Sequence, residues 1–208
     1  MNLTAKRESI RRFYHPFAYF LFKLRFTPNT ITSLSLIFGS ASALAYYYGN
    51  LLTGVFLLLL SGLLDLLDGE VARFRDHPTK FGAVYDWLVD KWVDGLILGI
   101  IGYIYAGPAW ATFVVTLSML HSFVKPVVYA EVGFEAKING KIRDPMEGLG
   151  FFGRPETHLT LIIFTIFEKS HLPLGLNYGI KLITILTALS LLQRILYLYK
   201  NLGKVKDD

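Results

Sequence analysis

The 208-residue chain has no cysteine. That excludes disulfides, thiolate nucleophiles and cysteine-ligated zinc, and it carries no information on the compartment. Charge is scarce: Asp, Glu, Lys and Arg make up 18% of the residues, against 53% hydrophobic. No secretory signal is evident, because "MNLTAKRESIRRFYH" has basic residues but neither a compact apolar core nor a small-residue cleavage site. Internal repeats, low-complexity tracts and a second, soluble domain are also absent, so residues 1–208 read as one domain.

What the chain does have is long apolar runs separated by short polar gaps, with a mean hydropathy of +0.43. Segments such as "GVFLLLLSGLL" lack the polar face that a helix of a soluble globule needs. The expected fold class is therefore all-α, a polytopic six-helix transmembrane bundle, since isolated strands cannot satisfy their backbone in lipid. The spans fall near 30–48, 51–73, 82–105, 108–130, 157–170 and 177–199. The fifth is at or below the lower limit of ~17 residues. It either begins earlier, around Phe151, or is shielded by its neighbours. Residues 1–28 form a juxtamembrane segment in which Lys6, Arg7, Arg11, Arg12, Lys23 and Arg25 alternate with Phe13, Tyr14, Phe17, Tyr19, Phe20 and Phe22. This pattern fits an amphipathic helix lying in the interface, with a partly ordered basic tail as the alternative. "TPNTIT" then starts the first span, with Pro28 followed by Asn29 or Thr30 as the cap.

The net charge of +5 does not indicate nucleic acid, because the basic residues cluster between apolar runs. That is the pattern of topology signals and of contacts to anionic membrane lipids. Lys and Arg concentrate in the N-terminal segment, in 73–81, in 125–156 and in the tail with Lys200, Lys204 and Lys206, whereas the loops around 49–53 and 106–108 have none. By the positive-inside rule, both termini of this integral protein of the cell membrane are cytoplasmic.

Residues 63–96, "LLDLLDGEVARFRDHPTKFGAVYDWLVDKWVDGL", hold six aspartates. A charge near the bilayer centre costs at least ~2.5–3.5 kcal/mol, so carboxylates there usually serve a function. Asp65 and Asp68 share one face near the cytoplasmic end of the second span. Asp86, Asp90 and Asp94, spaced by four, form a stripe on the third, and Gly82 continues it. The short link between the spans makes them antiparallel neighbours whose carboxylates face each other at similar depth. Four converging acids without thiol or histidine need cations to remain ionised. Hard oxygen donors favour Mg²⁺, Mn²⁺ or Ca²⁺, and two ions can stabilise the attacking and leaving oxygens of a phosphoryl displacement. Gly69, Ala72 and Gly82 leave space beside the acids, either for a ligand close to the backbone or for tight helix packing.

The run Asp65-Leu-Leu-Asp68-Gly69-Glu-Val-Ala72-Arg73, then eight residues, then Gly82-Ala-Val-Tyr-Asp86-Trp-Leu-Val-Asp90, resembles the signature of the CDP-alcohol phosphotransferases. That signature is D-x2-D-G-x2-A-R-x8/9-G-x3-D-x3-D, and this chain matches all eight specified positions. "TPNTIT" is similar to the family's usual lead into the first span. The resemblance implies that Asp65, Asp68 and Asp86 bind a pair of metal ions, Mg²⁺ or Mn²⁺, with Asp90 completing the site and acting as base. It also implies that Gly69, Ala72 and Gly82 line the cytidine pocket, and that Arg73 holds that region through phosphate or carboxylate contacts. The implied reaction transfers a substituted phosphate from a CDP-linked alcohol to the hydroxyl of a second alcohol and releases CMP, in a homodimer. Asp94 lies outside the motif, either pairing with Lys91 or supporting the site, and Asp76 reads as a solvated loop charge.

The donor expected is CDP-diacylglycerol or CDP-archaeol, and the acceptor a phosphorylated polyol such as inositol phosphate, whose phosphate needs cations. Lys125 and Arg154, at helix ends beside the polar region, are the candidates. The inositol-phosphate members would carry an arginine motif late in the fourth span and an "RPER"-like motif opening the fifth. This chain has "SFVKPVVYAE" and "GFFGRPETHLTL" there, keeping Arg154-Pro155-Glu156 but not the later arginine. CDP-inositol as donor and glycerol phosphate as acceptor are the alternatives within the class. Outside it, intramembrane acids also mark cation transporters, although these usually place the site near the midplane of a repeat interface.

Overall fold

Seven α-helices carry the described chain: α1 (Arg7–Lys23), α2 (Pro28–Tyr47), α3 (Leu51–Phe74), α4 (Lys80–Ile101), α5 (Pro108–Val132), α6 (Arg154–Lys169) and α7 (Leu176–Leu202). The computed structural model describes residues 7–75, 79–132, 137–138, 141–142 and 149–202; Asp76, Arg143, Lys204 and Lys206 lie outside them. A π-helical turn, Gly102–Ala106, extends α4. The two-residue strands β1 (Lys137–Ile138) and β2 (Lys141–Ile142) pair antiparallel. Apart from that ladder, the described residues with regular structure are helical.

Three of the helices, α3, α5 and α7, are long and apolar enough to cross a membrane. The others fall short for local reasons. The sequence of α2 is diluted by serine, threonine and glycine, α4 carries the aspartates, and α6 has only 16 residues. The start of α6 is at Arg154, not near Phe151. Gly153 takes the N-cap position, and its N–H donates to Glu156 Oε2 at 3.0 Å. For α2 the cap is Thr27, not Asn29 or Thr30. Its extended backbone (φ −83°, ψ 151°) lets the hydroxyl accept the Thr30 N–H, and Pro28 then occupies the first turn, where its missing N–H costs nothing.

The small polar residues of α2 let it approach its neighbours closely. Ser35 and Ser61 exchange hydroxyl-to-carbonyl hydrogen bonds of 2.9 Å, and Ser42 donates to the Gly54 carbonyl at 2.7 Å. Helix α2 therefore packs along both α3 and α4. The expectation that α3 and α4 would themselves be close neighbours is corrected: they are not packed along each other, because α2 fills that position and α6 also contacts α3. A gap lined by their acidic faces results. Tyr46, Leu58, Val93, Ile97, Ile180 and Ile183 form a buried apolar core. A smaller cluster of Tyr14, Ala18, Ile31, Leu67 and Val71 seats α1 on α3.

Gly39 sits where α2, α3 and α4 meet. A Cβ there would stand 2.5 and 2.6 Å from the Val93 methyls and 2.9 Å from Ser61 Oγ. Valine at 93 is stiff and cannot swing aside. Gly39→Val is expected to destabilise the protein by ~1–3 kcal/mol. The check is a thermal melt in detergent, where an unshifted midpoint would contradict this packing.

Candidate active site

Across the gap, one carboxylate oxygen from each of Asp65, Asp86 and Asp90 lies within 4.8 Å of the others, and all three residues are half-buried. Asp68, one turn from Asp65, is 4% exposed and accepts a 2.6 Å hydrogen bond from the Thr32 hydroxyl of α2. Asp68 and Asp86 border a cavity of about 490 Å³, together with Gly69, Ala72, Gly82 and Asn29. Gly82 is needed for space, since a Cβ there would meet Thr79 Oγ1 at 2.9 Å and Asn29 Oδ1 at 3.1 Å. Five positions singled out from the sequence thus share one volume.

Arg154, at the first turn of α6, reaches into the acids from the opposite side. Its NH1 lies 2.7 Å from Asp90 Oδ1 and 3.1 Å from Asp65 Oδ1, and its Nε donates to Asp94 Oδ1 at 3.1 Å. His158 Nε2 is 3.0 Å from the same Asp94 oxygen, and Lys91 Nζ lies 3.4 Å from the other. Lys91 also donates to Ser122 at 2.9 Å. The buried Asp94 is therefore a node for three basic side chains.

The segment before α6 fixes where Arg154 emerges. Gly150 adopts φ +92°, a conformation open to glycine at little cost. Arg194 of α7 donates to the Leu149 and His121 carbonyls, and Ser190 donates to the Phe152 carbonyl at 3.1 Å.

The other two basic candidates lie elsewhere. Lys125 has its Nζ 5.9 Å from the centre of the Tyr129 ring. Arg73 is not among the residues bordering the cavity. It pairs instead with Glu70, a fully buried carboxylate that also takes Arg11 of α1 at 2.7 Å, with His15 3.8 Å away. Arg75, which the sequence marked only as one of the basic residues of 73–81, does border the cavity. The pairing of Asp94 with Lys91 expected from the sequence is present, whereas Thr32 and His158 were missed as neighbours of the acids. Only the spacing of four between Arg154 and His158, which puts both on one helix face, offered a signal.

The donor set suits a hard divalent cation. Asp65, Asp86 and Asp90 supply only oxygens, and His158 is turned to Asp94. Oδ1 of Asp90 is buried and accepts no aligned hydrogen bond, the Arg154 contact being close but off-axis. One guanidinium beside these carboxylates leaves net negative charge for a metal to neutralise. Removing Arg154 should therefore cost stability. Arg154→Met is expected to lose ~3–5 kcal/mol in chelator, because buried carboxylates lose their counter-charge. Added Mg²⁺ should raise its melting temperature more than that of the wild type. Equal metal response in both proteins would show that Arg154 and the metal do not share these carboxylates.

Comparison with known proteins agrees with this geometry. Residues 25–202 match the CDP-alcohol phosphatidyltransferase family. The archaetidylinositol phosphate synthase of Methanothermobacter thermautotrophicus is 27% identical over 201 residues, 96% of this chain and 95% of that protein. The bifunctional IPC transferase and DIPP synthase of Aquifex aeolicus is 42% identical over 86 residues, 41% of this chain, and that match spans only 20% of the Aquifex protein. The crystal structure of Mycobacterium tuberculosis phosphatidylinositol phosphate synthase (PgsA1) with CDP-DAG bound superposes with a TM-score of 0.71 at 25% identity, covering 90% of this chain and 94% of that one. The matched region contains every acid of the site, and the chain belongs to the CDP-alcohol phosphatidyltransferase family, as an enzyme of that transferase class.

Proposed function

We propose that this protein transfers a substituted phosphate from a CDP-linked lipid, CDP-diacylglycerol or CDP-archaeol, to a hydroxyl of a phosphorylated polyol such as inositol phosphate, releasing CMP. The observation that carries this reading is the convergence of Asp65, Asp86 and Asp90 beside the cavity bordered by Asp68, Gly69, Ala72 and Gly82. The likeness to an archaetidylinositol phosphate synthase over nearly the whole chain supports the acceptor class.

Asp65, Asp68, Asp86 and Asp90 would hold two divalent ions, Mg²⁺ or Mn²⁺. Such ions neutralise the donor's diphosphate and the departing CMP. Gly69, Ala72 and Gly82 leave room for cytidine, and Arg73 steadies that wall through Glu70. Asp90 removes the proton as the acceptor oxygen bonds to the phosphorus bearing the donor's alcohol. The bond from that phosphorus to the bridging oxygen breaks, and its electron pair leaves with CMP. Arg154, beside Asp90, binds the acceptor's phosphate, with Lys125 as the more distant cation of the same role.

In this reading residues 1–208 form one domain, a six-helix transmembrane bundle in the cell membrane, with the site and both termini cytoplasmic. Helix α1 lies in the interface. Its outward stripe of Phe13, Phe17 and Phe20 is exposed, as an interfacial helix requires, while Tyr14 and Ala18 pack inward. A homodimer is proposed on the family resemblance. A soluble CDP-inositol donor is the second reading, favoured by the 42% identical stretch shared with the Aquifex bifunctional protein.

Purified protein with Mg²⁺ is expected to release CMP from a CDP-alcohol only when an acceptor is present. Asp90→Asn should abolish turnover while still binding nucleotide; normal turnover in that variant would remove Asp90 as base. A panel of inositol phosphate, glycerol phosphate, serine and free inositol tests the acceptor. Activity confined to unphosphorylated alcohols would exclude phosphate binding by Arg154 and Lys125.

A further inference from the structure

Glu70 accounts for the direction of Arg73. One carboxylate oxygen takes Arg11 and the other takes Arg73, inside a fully buried node between α1 and α3. The signature's arginine is thereby drawn away from the cavity. Two residues further on, Arg75 borders it, and it is the only cation among the described residues that do. Its NH2 donates to the Phe26 carbonyl at 3.1 Å and the Arg25 carbonyl at 3.3 Å. Those carbonyls belong to the corner joining α1 to α2, where Arg25 has φ +63°. The guanidinium is thus held by one nitrogen. Its NH1 and Nε make no hydrogen bond among the described residues.

We propose that Arg75 is a nucleotide-binding residue, its guanidinium contacting the phosphate next to cytidine, the one that departs with CMP. This inference rests on the cavity being the nucleotide site of the proposed transferase. The cavity wall otherwise offers Asp68, Asp86, hydroxyls and an amide, none of which balances an anion. Metal held by the aspartates would neutralise part of the diphosphate's charge, and a guanidinium at the rim would add positive charge beside the phosphate nearer the nucleoside. A planar guanidinium already anchored there does so at little further entropic cost. The corner carbonyls that anchor it belong to the chain leading from α1, so the seating of α1 on α3 and the placement of this cation are linked.

The test is calorimetric binding of CMP and of cytidine to the full-length protein in detergent with Mg²⁺. Arg75→Gln should weaken CMP about tenfold or more while leaving cytidine unchanged, as expected for loss of a hydrogen bond to a charged group. Arg75→Lys should recover part of the CMP affinity. Unchanged CMP affinity in Arg75→Gln, or equal losses for CMP and cytidine, would overturn the assignment, the latter by showing that only the corner's structure was disturbed. If the wild type binds neither ligand, the transferase reading itself fails, and this assignment fails with it.

Discussion

Three carboxylates with oxygens within 4.8 Å of one another, inside a helical bundle, are the constraint that organises the rest of this molecule. Each repels its neighbours, and burial weakens the solvent screening that would make the repulsion tolerable. Arg154 offsets part of it by touching Asp65, Asp90 and Asp94 at once. A single guanidinium can do this because its nitrogens fan out in a plane, which a lysine ammonium cannot imitate. Asp94 has the complementary role. By holding the Nε edge it directs the NH1 edge at Asp65 and Asp90, and Lys91 and His158 surround the same carboxylate with further basic groups.

The opening between α3 and α4 follows from helix α2. Serine, glycine and alanine along α2 allow two partners to approach its backbone, so α2 takes the contact that a short α3–α4 connection would otherwise direct to those helices themselves. Thr32 shows how directly this scaffolding meets the chemistry. The helix whose small residues set the spacing also supplies the hydroxyl that orients Asp68. The face of α3 that carries Asp68 is therefore fixed by packing on a neighbour that carries no signature residue.

Much of this was legible in the sequence. The spacings of three and four among the aspartates set their helix faces, and Gly69, Ala72 and Gly82 marked where bulk is missing. These are local properties, encoded within one or two turns. The splaying of α3 from α4 was not legible, because it depends on α2 being the better partner for both. Nor was the direction of Arg73, since a signature gives a residue's position but not which carboxylate its side chain will choose. Glu70 settles that choice, and its burial becomes evident only once α1 is seated on α3. Lys125 and Arg154 looked equivalent as basic residues at helix ends. What separates them is the path of residues 149–153, tied down by Arg194 and Ser190 from a helix far along the chain.

The carboxyl-terminal half of α3 thus answers to different parts of the fold from one turn to the next. Around Asp65 the controlling contacts come from α6, held by α7, whereas around Asp68 to Arg75 they come from α1 and α2. In the proposed reading, the acceptor side and the nucleotide side accordingly rest on different helices. A change in the 149–158 segment reorients Arg154 without touching the wall formed by Gly69 and Ala72. A change in α1 acts through Glu70 and the α1–α2 corner without touching Asp94. The aspartates stand on α3 and α4, and the arginine that meets Asp65, Asp90 and Asp94 stands on α6.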